Sequence, residues 1–186
     1  MPELRTERLL LRAWRDSDLE PWVALNADPE VSTYFPAPLT REGSREAMNR
    51  YRTGIEERGW GWWALEVRAT GEFIGCAGVD PLDGRRPPYR GVQTGWRLAR
   101  SAWGRGYATE AARAAVEFGF GGLGLPEIVA VAVAGNHRSL AVMRRLGMVH
   151  DPAGDFDDPD VPDGPLRRNV VYRLPAGEWR TGGRAG

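Results

Sequence analysis

A loop with two glycines that runs directly into a helix-forming segment is the feature that most constrains how this chain folds. The stretch is Trp103-Gly104-Arg105-Gly106-Tyr107-Ala108-Thr109-Glu110. Glycine lets the backbone approach a ligand closely, and the first amides of a helix lack partners and lie at the positive end of its dipole. Because residues 93–98 upstream are typical of a strand, we predict an anion-binding turn suited to a phosphate or pyrophosphate. Two glycines by themselves are equally consistent with an ordinary tight turn.

The loop does not match two common nucleotide-binding motifs. Gly-Lys-Ser/Thr is absent, so a P-loop would lack its phosphate-binding lysine and its magnesium-binding hydroxyl. Counted from Gly104, the sixth position of G-x-G-x-x-G is Thr109, and no acidic residue ends a strand at the expected distance beyond it. The sequence therefore argues against ATP hydrolysis and dinucleotide redox chemistry.

A second block lies on the next strand and helix. Residues 127–133 are rich in β-branched side chains and predict a buried strand, after which residues 136–139 open a helix that ends at 146–148. The two blocks, in this order, resemble the GNAT acetyltransferase superfamily, and more closely its branch related to ribosomal-protein alanine N-acetyltransferases. The family's pyrophosphate-binding loop reads Q/R-x-x-G-x-G/A, and this chain matches it at Gly106 and Ala108, with Trp103 where Gln or Arg is more common. Segments 4–12 and 171–174 are also similar, so the resemblance covers nearly the whole chain.

The resemblance implies an α/β (α+β) GNAT fold. It consists of one mixed, mostly antiparallel sheet of about six to seven strands, with helices on both faces and a splayed central strand pair. One domain would span residues 1–178, a length that suits a single hydrophobic core, and residues 179–186 would form a disordered tail.

Apolar periodicity predicts the remaining elements. We expect a first helix that residues 16–18 cap and that 28–29 stop, a second helix at 40–58, and strands at 8–12, 60–68, 72–79 and 89–98. A further helix is expected after the glycine loop, where small residues at 108, 111, 112, 115, 116 and 119 share one face and allow close packing on the sheet. Trp60 and Trp62 are expected on one face of their strand and Trp63 on the other. The segment 151–168, rich in aspartate, proline and glycine, predicts a surface loop without strand or helix.

The resemblance implies that the strands ending at Leu98 and Val133 splay apart and hold the pantetheine arm of acetyl-CoA between them. Free backbone groups along residues 96–99 would bind that arm, and backbone amides of the splayed strand would stabilise the oxyanion that forms when an amine attacks the thioester. The implied cofactor-binding residues are Trp96, Leu98, Ala99, Trp103, Gly104, Arg105, Gly106, Tyr107, Ala108, Thr109, Asn136 and Ser139.

The general base is not identified by the sequence. Many relatives carry Glu where this chain has Gln93, and glutamine can only orient an amine or a water. Asp80, His150 and Asp155 are further candidates, and their spacing selects none of them.

The predicted catalytic residue is Ser139, as the acid that protonates the coenzyme A thiolate. Relatives often use a tyrosine where this chain has Met143, which cannot donate a proton. A plain first-turn helix serine is the alternative interpretation, with about equal weight. Asn136 is a good N-cap residue, and in the family its counterpart also binds the pantetheine region, so we expect both roles.

The acceptor is either a protein N-terminus or a small-molecule amine. Tyr34 and Phe35 lie in the loop between the first two helices, which helps enclose the acceptor in relatives. The acidic loop at 155–163 would attract a cationic amine or would be only a solvated connection, the interpretation we favour.

Composition limits the other partners. With 25 basic and 25 acidic residues, the chain has no net field that favours nucleic acid or a membrane. Two histidines and one cysteine, Cys76, form no metal-ligand spacing and no internal disulfide. Because no signal peptide or long apolar span is present, we expect a cytoplasmic monomer or homodimer that uses acetyl-CoA and no metal.

Three hypotheses about function follow. The leading one is an acetyl-CoA-dependent N-acetyltransferase. The second is a non-catalytic acyl-CoA-binding or regulatory module, because Gln93 and Met143 replace two common catalytic residue types. The third is an unrelated phosphate-binding α/β protein, which requires the second block to be a coincidence.

Overall fold

The computed structural model describes residues 3–83 and 90–182, and within these ranges nine strands form one sheet. The strands are β1 (Leu4–Arg5), β2 (Leu9–Arg12), β3 (Trp62–Val67), β4 (Phe73–Asp83), β5 (Arg90–Leu98), β6 (Glu127–Val133), β7 (Val149–His150), β8 (Phe156–Asp157) and β9 (Arg168–Pro175). The α-helices are α1 (Leu19–Ala27), α2 (Pro29–Ser32), α3 (Arg41–Arg58), α4 (Tyr107–Gly121), α5 (His137–Arg145) and α6 (Ala176–Gly182).

The sheet is mixed and mostly antiparallel, in the order β1-β2-β3-β4-β5-β6-β9-β7, with β8 paired to β9. Strands β5 and β6 are the parallel pair, and they are in register at Gln93 and Val129 alone. Beyond that point the two strands diverge towards Leu98 and Val133. The predicted fold class and its splayed central pair are confirmed.

The strand count exceeds the predicted six to seven because β1, β7 and β8 are two residues long. A strand of that length shows no alternation of apolar and polar residues, so its sequence carries no period to detect. Its existence depends on the neighbouring strand.

The alternation of Trp62 and Trp63 on β3 shows what covers each face of the sheet. The Trp63 ring is fully buried against Phe118 of α4, with ring centroids 5.5 Å apart. The Trp62 ring packs against Tyr51 of α3 at 5.9 Å. Helices α3 and α4 therefore lie on opposite faces of the sheet, as predicted. The strand begins later than predicted, at Trp62, and Trp60 lies before it under the Arg58 guanidinium.

Helices α3 and α4 follow their sequence signals. The Thr40 hydroxyl accepts a hydrogen bond from the Gly43 amide at the start of α3, and Gly59 ends that helix with φ of 79°. On α4 the small-residue face is buried, and a Cβ at Gly119 would lie 2.7 Å from the Ile128 side chain on β6. Close packing of this kind holds α4, and the glycine loop before it, against the centre of the sheet.

The first helix has its predicted bounds but not its predicted cap. Residues Asp16–Asp18 form a 3-10 turn, and the Asp18 carboxylate does not cap α1 but binds the Arg12 guanidinium at 2.7 and 2.8 Å. Arg12 also donates to Glu66 at 2.7 Å, so this buried arginine has two carboxylate partners. At the other end, Asp28 ends α1 and caps the short α2 through the Glu30 amide.

The prediction of a loop without regular structure at 151–168 is wrong in part. A 3-10 turn spans Pro152–Gly154, and β8 pairs with β9 through Phe156 and Asn169. The Asp155 carboxylate accepts a hydrogen bond from the Val171 amide at 3.0 Å, which fixes the segment to β9. Long-range bonds of this kind have no local sequence signal.

The chain end and the start of β5 differ from their predicted bounds. Helix α6 continues to Gly182, so residues 179–182 of the predicted tail are helical, and residues 183–186 lie outside the described residues. The Trp179 indole donates to Glu117 at 2.8 Å. Strand β5 begins at Arg90, and Tyr89 also lies outside the described residues. None of the helices in the described ranges has the length and apolar content needed to cross a lipid bilayer.

Candidate functional site

A cleft of about 1410 Å³ connects the glycine loop with the splayed strands and with the loop after α2. Its lining comes from the end of β5, the loop and first turn of α4, the end of β6 and the start of α5. The residues after α2 and the segment before β9 complete it. The two sequence blocks, distant in the chain, therefore face one common space.

The glycine loop adopts a backbone conformation that requires glycine. Gly104 and Gly106 have φ of 73° and 80°. A Cβ at Gly106 would lie 3.3 Å from the Arg8 guanidinium, and that position ends the loop immediately before α4. The amides of Tyr107, Ala108 and Thr109 begin the helix and have no carbonyl within it to bond, so they are available to an anion.

Glu110 and Arg8 clamp the loop to the start of β2. The Glu110 carboxylate accepts hydrogen bonds from the Thr6 hydroxyl at 2.6 Å, the Arg8 amide at 2.9 Å and the Arg8 Nε at 2.7 Å. The Arg8 Nη1 then donates to the Arg105 carbonyl at 2.9 Å, and its guanidinium lies 4.8 Å from the Tyr107 ring centroid. Burial raises the pKa of the Glu110 carboxyl, but the hydrogen bonds from Thr6 and Arg8 outweigh burial and hold that pKa below its usual value.

Trp103 joins the two halves of the cleft. Its indole Nε1 donates to the Leu98 carbonyl at the end of β5, at 2.9 Å. The Arg138 guanidinium of α5 lies over its ring, 4.3 Å from the centroid. A glutamine or arginine at this position would not offer the same flat apolar surface, so the tryptophan is explained by packing between β5 and α5.

Positive charge is concentrated at the loop end of the cleft. Arg8, Arg113, Arg138 and Arg145 line it there. The balanced charge of the whole chain hides this local excess, which attracts anions. Because every cationic side chain apart from the histidines is arginine, residue type alone does not distinguish these four from the others.

Most of the predicted cofactor-binding residues line the cleft. They are Trp96, Leu98, Trp103, Gly104, Gly106, Tyr107, Ala108, Thr109, Asn136 and Ser139. Arg105 does not line the cleft, although its carbonyl accepts a hydrogen bond from Arg8, which does.

The prediction of a free backbone at Ala99 is wrong. The Ala99 amide donates to the Ile74 carbonyl on β4 at 2.9 Å, and Ala99 does not line the cleft. Successive residues of a strand direct their amides to opposite sides, so the Leu98 amide points towards the splay while the Leu98 carbonyl is taken by Trp103. Backbone contacts to a ligand between the strands therefore fall to Trp96 and to the Leu98 amide.

The start of α5 places Asn136 and Ser139 together at the cleft. The Asn136 side-chain oxygen accepts a hydrogen bond from the Ser139 amide at 3.2 Å, so the capping role is present. Both residues line the cleft, and Ser139 is half-buried there. Met143 is buried below them and lines the same wall.

The other end of the cleft has an aromatic floor. A Cβ at Gly95 would lie 2.5 Å from the Trp62 ring, so this ring lies directly on β5. Tyr51 packs beside it, and burial raises the pKa of the Tyr51 hydroxyl. Burial also raises the pKa of the Cys76 thiol to about 12, so both groups are neutral near pH 7. A glycine inside a strand, as at Gly95, is typical of such a close approach.

None of the three predicted alternative bases lines the cleft. Asp80 binds Arg58 at 2.8 Å, and burial raises its pKa despite that partner. His150 binds Asp155 at 3.0 Å and stacks on Tyr172, with ring centroids 5.2 Å apart.

Four other carboxylates line the cleft: Glu7, Glu30, Glu110 and Asp158. Asp158 belongs to the segment before β9, which also contributes Val161 and Leu166 to the lining, so that segment is more than a solvated connection. Among the described residues, no group of three His, Cys, Asp or Glu side chains is placed to hold a metal ion.

Comparisons with known proteins agree with this geometry. Residues 8–149 match the family model described as "Acetyltransferase (GNAT) domain". The chain is 33% identical over 147 residues to the uncharacterized protein YkkB of Bacillus subtilis (strain 168), which covers 78% of this chain and 84% of that protein. It is 31% identical over 189 residues to the FsC-acetyl coenzyme A-N(2)-transacetylase of Aspergillus fumigatus, covering 96% of this chain and 78% of that protein.

The fold is also shared with a solved structure at low identity. The spermidine N-acetyltransferase from Vibrio cholerae, in complex with CoA and spermine, superimposes with a TM-score of 0.74. It is 18% identical, and the match covers 94% of this chain and 99% of that chain. At this identity the likeness concerns the fold alone.

Proposed function

Because the chain belongs to the GNAT acetyltransferase family, we propose that it transfers the acetyl group of acetyl-CoA to a primary amine by direct attack. The observation that carries this proposal is the continuity of the cleft. The glycine loop at one end, the splay in the middle and Gln93 with the aromatic floor at the other end all line the same space. Donor and acceptor can therefore meet in one complex.

The loop end fits a coenzyme A diphosphate. The glycine backbone and the first amides of α4 offer hydrogen-bond donors, and the surrounding arginines supply positive charge. The gap between β5 and β6 suits an extended arm that bonds to a strand edge. The relative from Aspergillus fumigatus is named an acetyl coenzyme A transacetylase, which supports the same ligand class here. Acetyl-CoA, when bound, supplies a thioester carbonyl that an amine can attack.

The proposed roles of the side chains follow from what the transfer must balance. A nitrogen–carbon bond forms and the carbon–sulfur bond breaks. The amine loses its proton to solvent water, the leaving thiolate gains one from a side-chain donor, and that donor regains a proton from water. We assign Ser139 as the proton donor to the thiolate, because its helix brings it to the cleft wall beside the splay. We assign Gln93 to orient the amine, since an amide side chain cannot accept its proton.

Calorimetric titration with coenzyme A and thiol release from acetyl-CoA across an amine panel test the proposal. The panel contains N-terminal peptides, polyamines, aminoglycosides and amino acids. We expect micromolar or tighter binding of coenzyme A and turnover of at least one amine class. Binding of coenzyme A without turnover of any amine favours the non-catalytic module, and absence of binding contradicts both.

A further inference from the structure

Arg97 lies at the acceptor end of the cleft, and within residues 3–83 and 90–182 it has no carboxylate partner. Its Nη1 donates to the Asn26 side-chain oxygen at 2.7 Å. Its guanidinium lies 3.9 Å from the Phe35 ring centroid and 5.6 Å from that of Trp22. The group is therefore held in place by an amide and two aromatic rings, and it faces the cleft.

The contrast with Arg12 shows that this arrangement is unusual within the molecule. The buried Arg12 guanidinium is neutralised by Asp18 and Glu66, both at 2.7 Å. Arg97 is half-buried, and no carboxylate among the described side chains pairs with it. A partly desolvated charge without a counter-ion costs free energy, which an anion on a ligand would recover.

A side pocket of about 280 Å³ adjoins the cleft at Arg97. Val31, Phe35, Pro36 and Arg97 line both spaces, so the pocket opens from the acceptor end. Its other lining residues are uncharged, namely Asn26, Ser32, Ala37 and Leu39. Arg97 is thus the charged group that a small ligand in this pocket would meet.

We infer, on the basis of the proposed function, that Arg97 binds a carboxylate of the acceptor, so that the substrate class is a small primary amine with a carboxylate several bonds from its nitrogen. The planar guanidinium suits a carboxylate in a two-pronged contact. Along β5, Gly95 and Gln93 lie on the same face as Arg97 at roughly 7 and 13 Å, from the rise of a strand. An extended six-carbon ω-amino carboxylate spans roughly the shorter of these distances, from the standard bond lengths.

Two acidic side chains of the cleft would favour a cationic acceptor over one that carries a carboxylate. Glu30 is exposed on α2, and Asp158 lines the far wall, where one of its oxygens accepts from the Asp160 amide. If these two set the specificity, a polyamine would be the preferred acceptor. The charge of Glu30 is screened by solvent because that side chain is exposed. Asp158 is half-buried like Arg97, but it lines only the cleft, whereas Arg97 lines both the cleft and the side pocket, so we give Arg97 the larger weight.

Thiol release with matched acceptors tests the assignment. 6-Aminohexanoate and 6-aminohexanamide differ only in the charge of the distal group, and spermidine represents the cationic alternative. We expect kcat/KM for the carboxylate to exceed that for the amide by about tenfold or more, through KM. Equal values for the pair, or a preference for spermidine over the carboxylate, would overturn the assignment.

Variants separate charge recognition from packing. In Arg97→Gln we expect the carboxylate-to-amide ratio to fall to within about twofold of one, while kcat/KM for the amide is kept, and in Arg97→Lys part of the ratio survives. A purely structural arginine would lower both substrates alike, which would contradict the assignment. Arg41→Gln, on the exposed start of α3, is the control and should keep the wild-type ratio.

A binding measurement keeps the test independent of turnover. Calorimetry on the protein saturated with coenzyme A, with 6-acetamidohexanoate and 6-acetamidohexanamide, should give the same tenfold preference and its loss in Arg97→Gln. If no amine is acetylated but the preference is present, acetyl transfer fails and the carboxylate site stands. If turnover occurs without the preference, the carboxylate site fails and the transfer stands.

Discussion

The two ends of the cleft are built in different ways. At the loop end, residues close together in sequence present backbone amides, and the Arg8–Glu110 clamp and the Trp103–Leu98 hydrogen bond fix them. At the acceptor end, side chains from separate elements meet, such as Phe35, Trp62 and Arg97. Backbone recognition suits a ligand that never changes, whereas exchangeable side chains suit an acceptor that differs between relatives. The loop end should therefore be sensitive to backbone strain and the acceptor end to side-chain chemistry.

The largest effect is expected at the loop end, from Gly106→Val. A side chain at φ of 80° is strained, and its Cβ would lie 3.3 Å from the Arg8 guanidinium while it blocks the backbone. We expect coenzyme A affinity to fall by about 100-fold or more, measured by calorimetry. Gly121→Val is the matched control, because nothing lies within 4 Å of a Cβ there. Equal affinity in the two variants would remove the loop from the binding site.

The next effect concerns the middle of the cleft. If Ser139 protonates the thiolate, Ser139→Ala should lower kcat by about 10²-fold, with coenzyme A affinity nearly unchanged. Ser101→Ala, exposed in the turn after β5, is the control and should keep the wild-type rate. A rate for Ser139→Ala equal to that of the control returns Ser139 to its place beside the Asn136 cap alone.

A smaller effect is expected from the clamp that holds the loop. Glu110→Gln removes the charge that Arg8 and Thr6 bind, which should lower the free energy of unfolding by about 1 kcal/mol at pH 7, since Arg8 is partly exposed and screened.

The stabilisation that Glu110 provides should depend on pH. The folded-state pKa of Glu110 lies below the ordinary 4.5, so its stabilising contribution is complete above that value and is lost as pH falls through the folded-state pKa. Urea unfolding should therefore show the wild type more stable than Glu110→Gln at pH 7, with the difference shrinking towards pH 3. A difference that is constant with pH would contradict the ionic origin.

The same contrast explains how much the sequence predicts. The loop, the splayed strands and α4 depend on glycine placement and on apolar periodicity within short windows, so their sequence signals are local. The acceptor end depends on contacts such as Trp62 on Gly95, which join β3 to β5 across the sheet. The proposed role of Arg97 rests on the absence of a carboxylate partner among the described side chains, and no pattern in a sequence shows such an absence.

Errors in the prediction have the same origin. The Ala99 amide donates a hydrogen bond to the Ile74 carbonyl on a neighbouring strand, so it is not free. The Asp155 carboxylate accepts one from the Val171 amide, which fixes part of the predicted loop to β9. Asp18 has the residue type of a helix cap but binds Arg12 instead. In each case the group forms a hydrogen bond with a partner on another element of the structure. The local sequence predicts a different environment for that group, because it contains no information about the partner.

The smallest effect is expected at Cys76, and it sharpens the view of the acceptor end as a binding surface. This thiol lines the cleft, yet burial raises its pKa to about 12, so almost none of it is thiolate near neutral pH. We expect no modification of the native protein by iodoacetamide at pH 8 and stoichiometric modification in denaturant. Cys76→Ala should keep turnover within about twofold, because direct attack by the amine needs no cysteine nucleophile. Rapid native alkylation together with loss of turnover would instead indicate an acetyl-cysteine route and replace direct transfer.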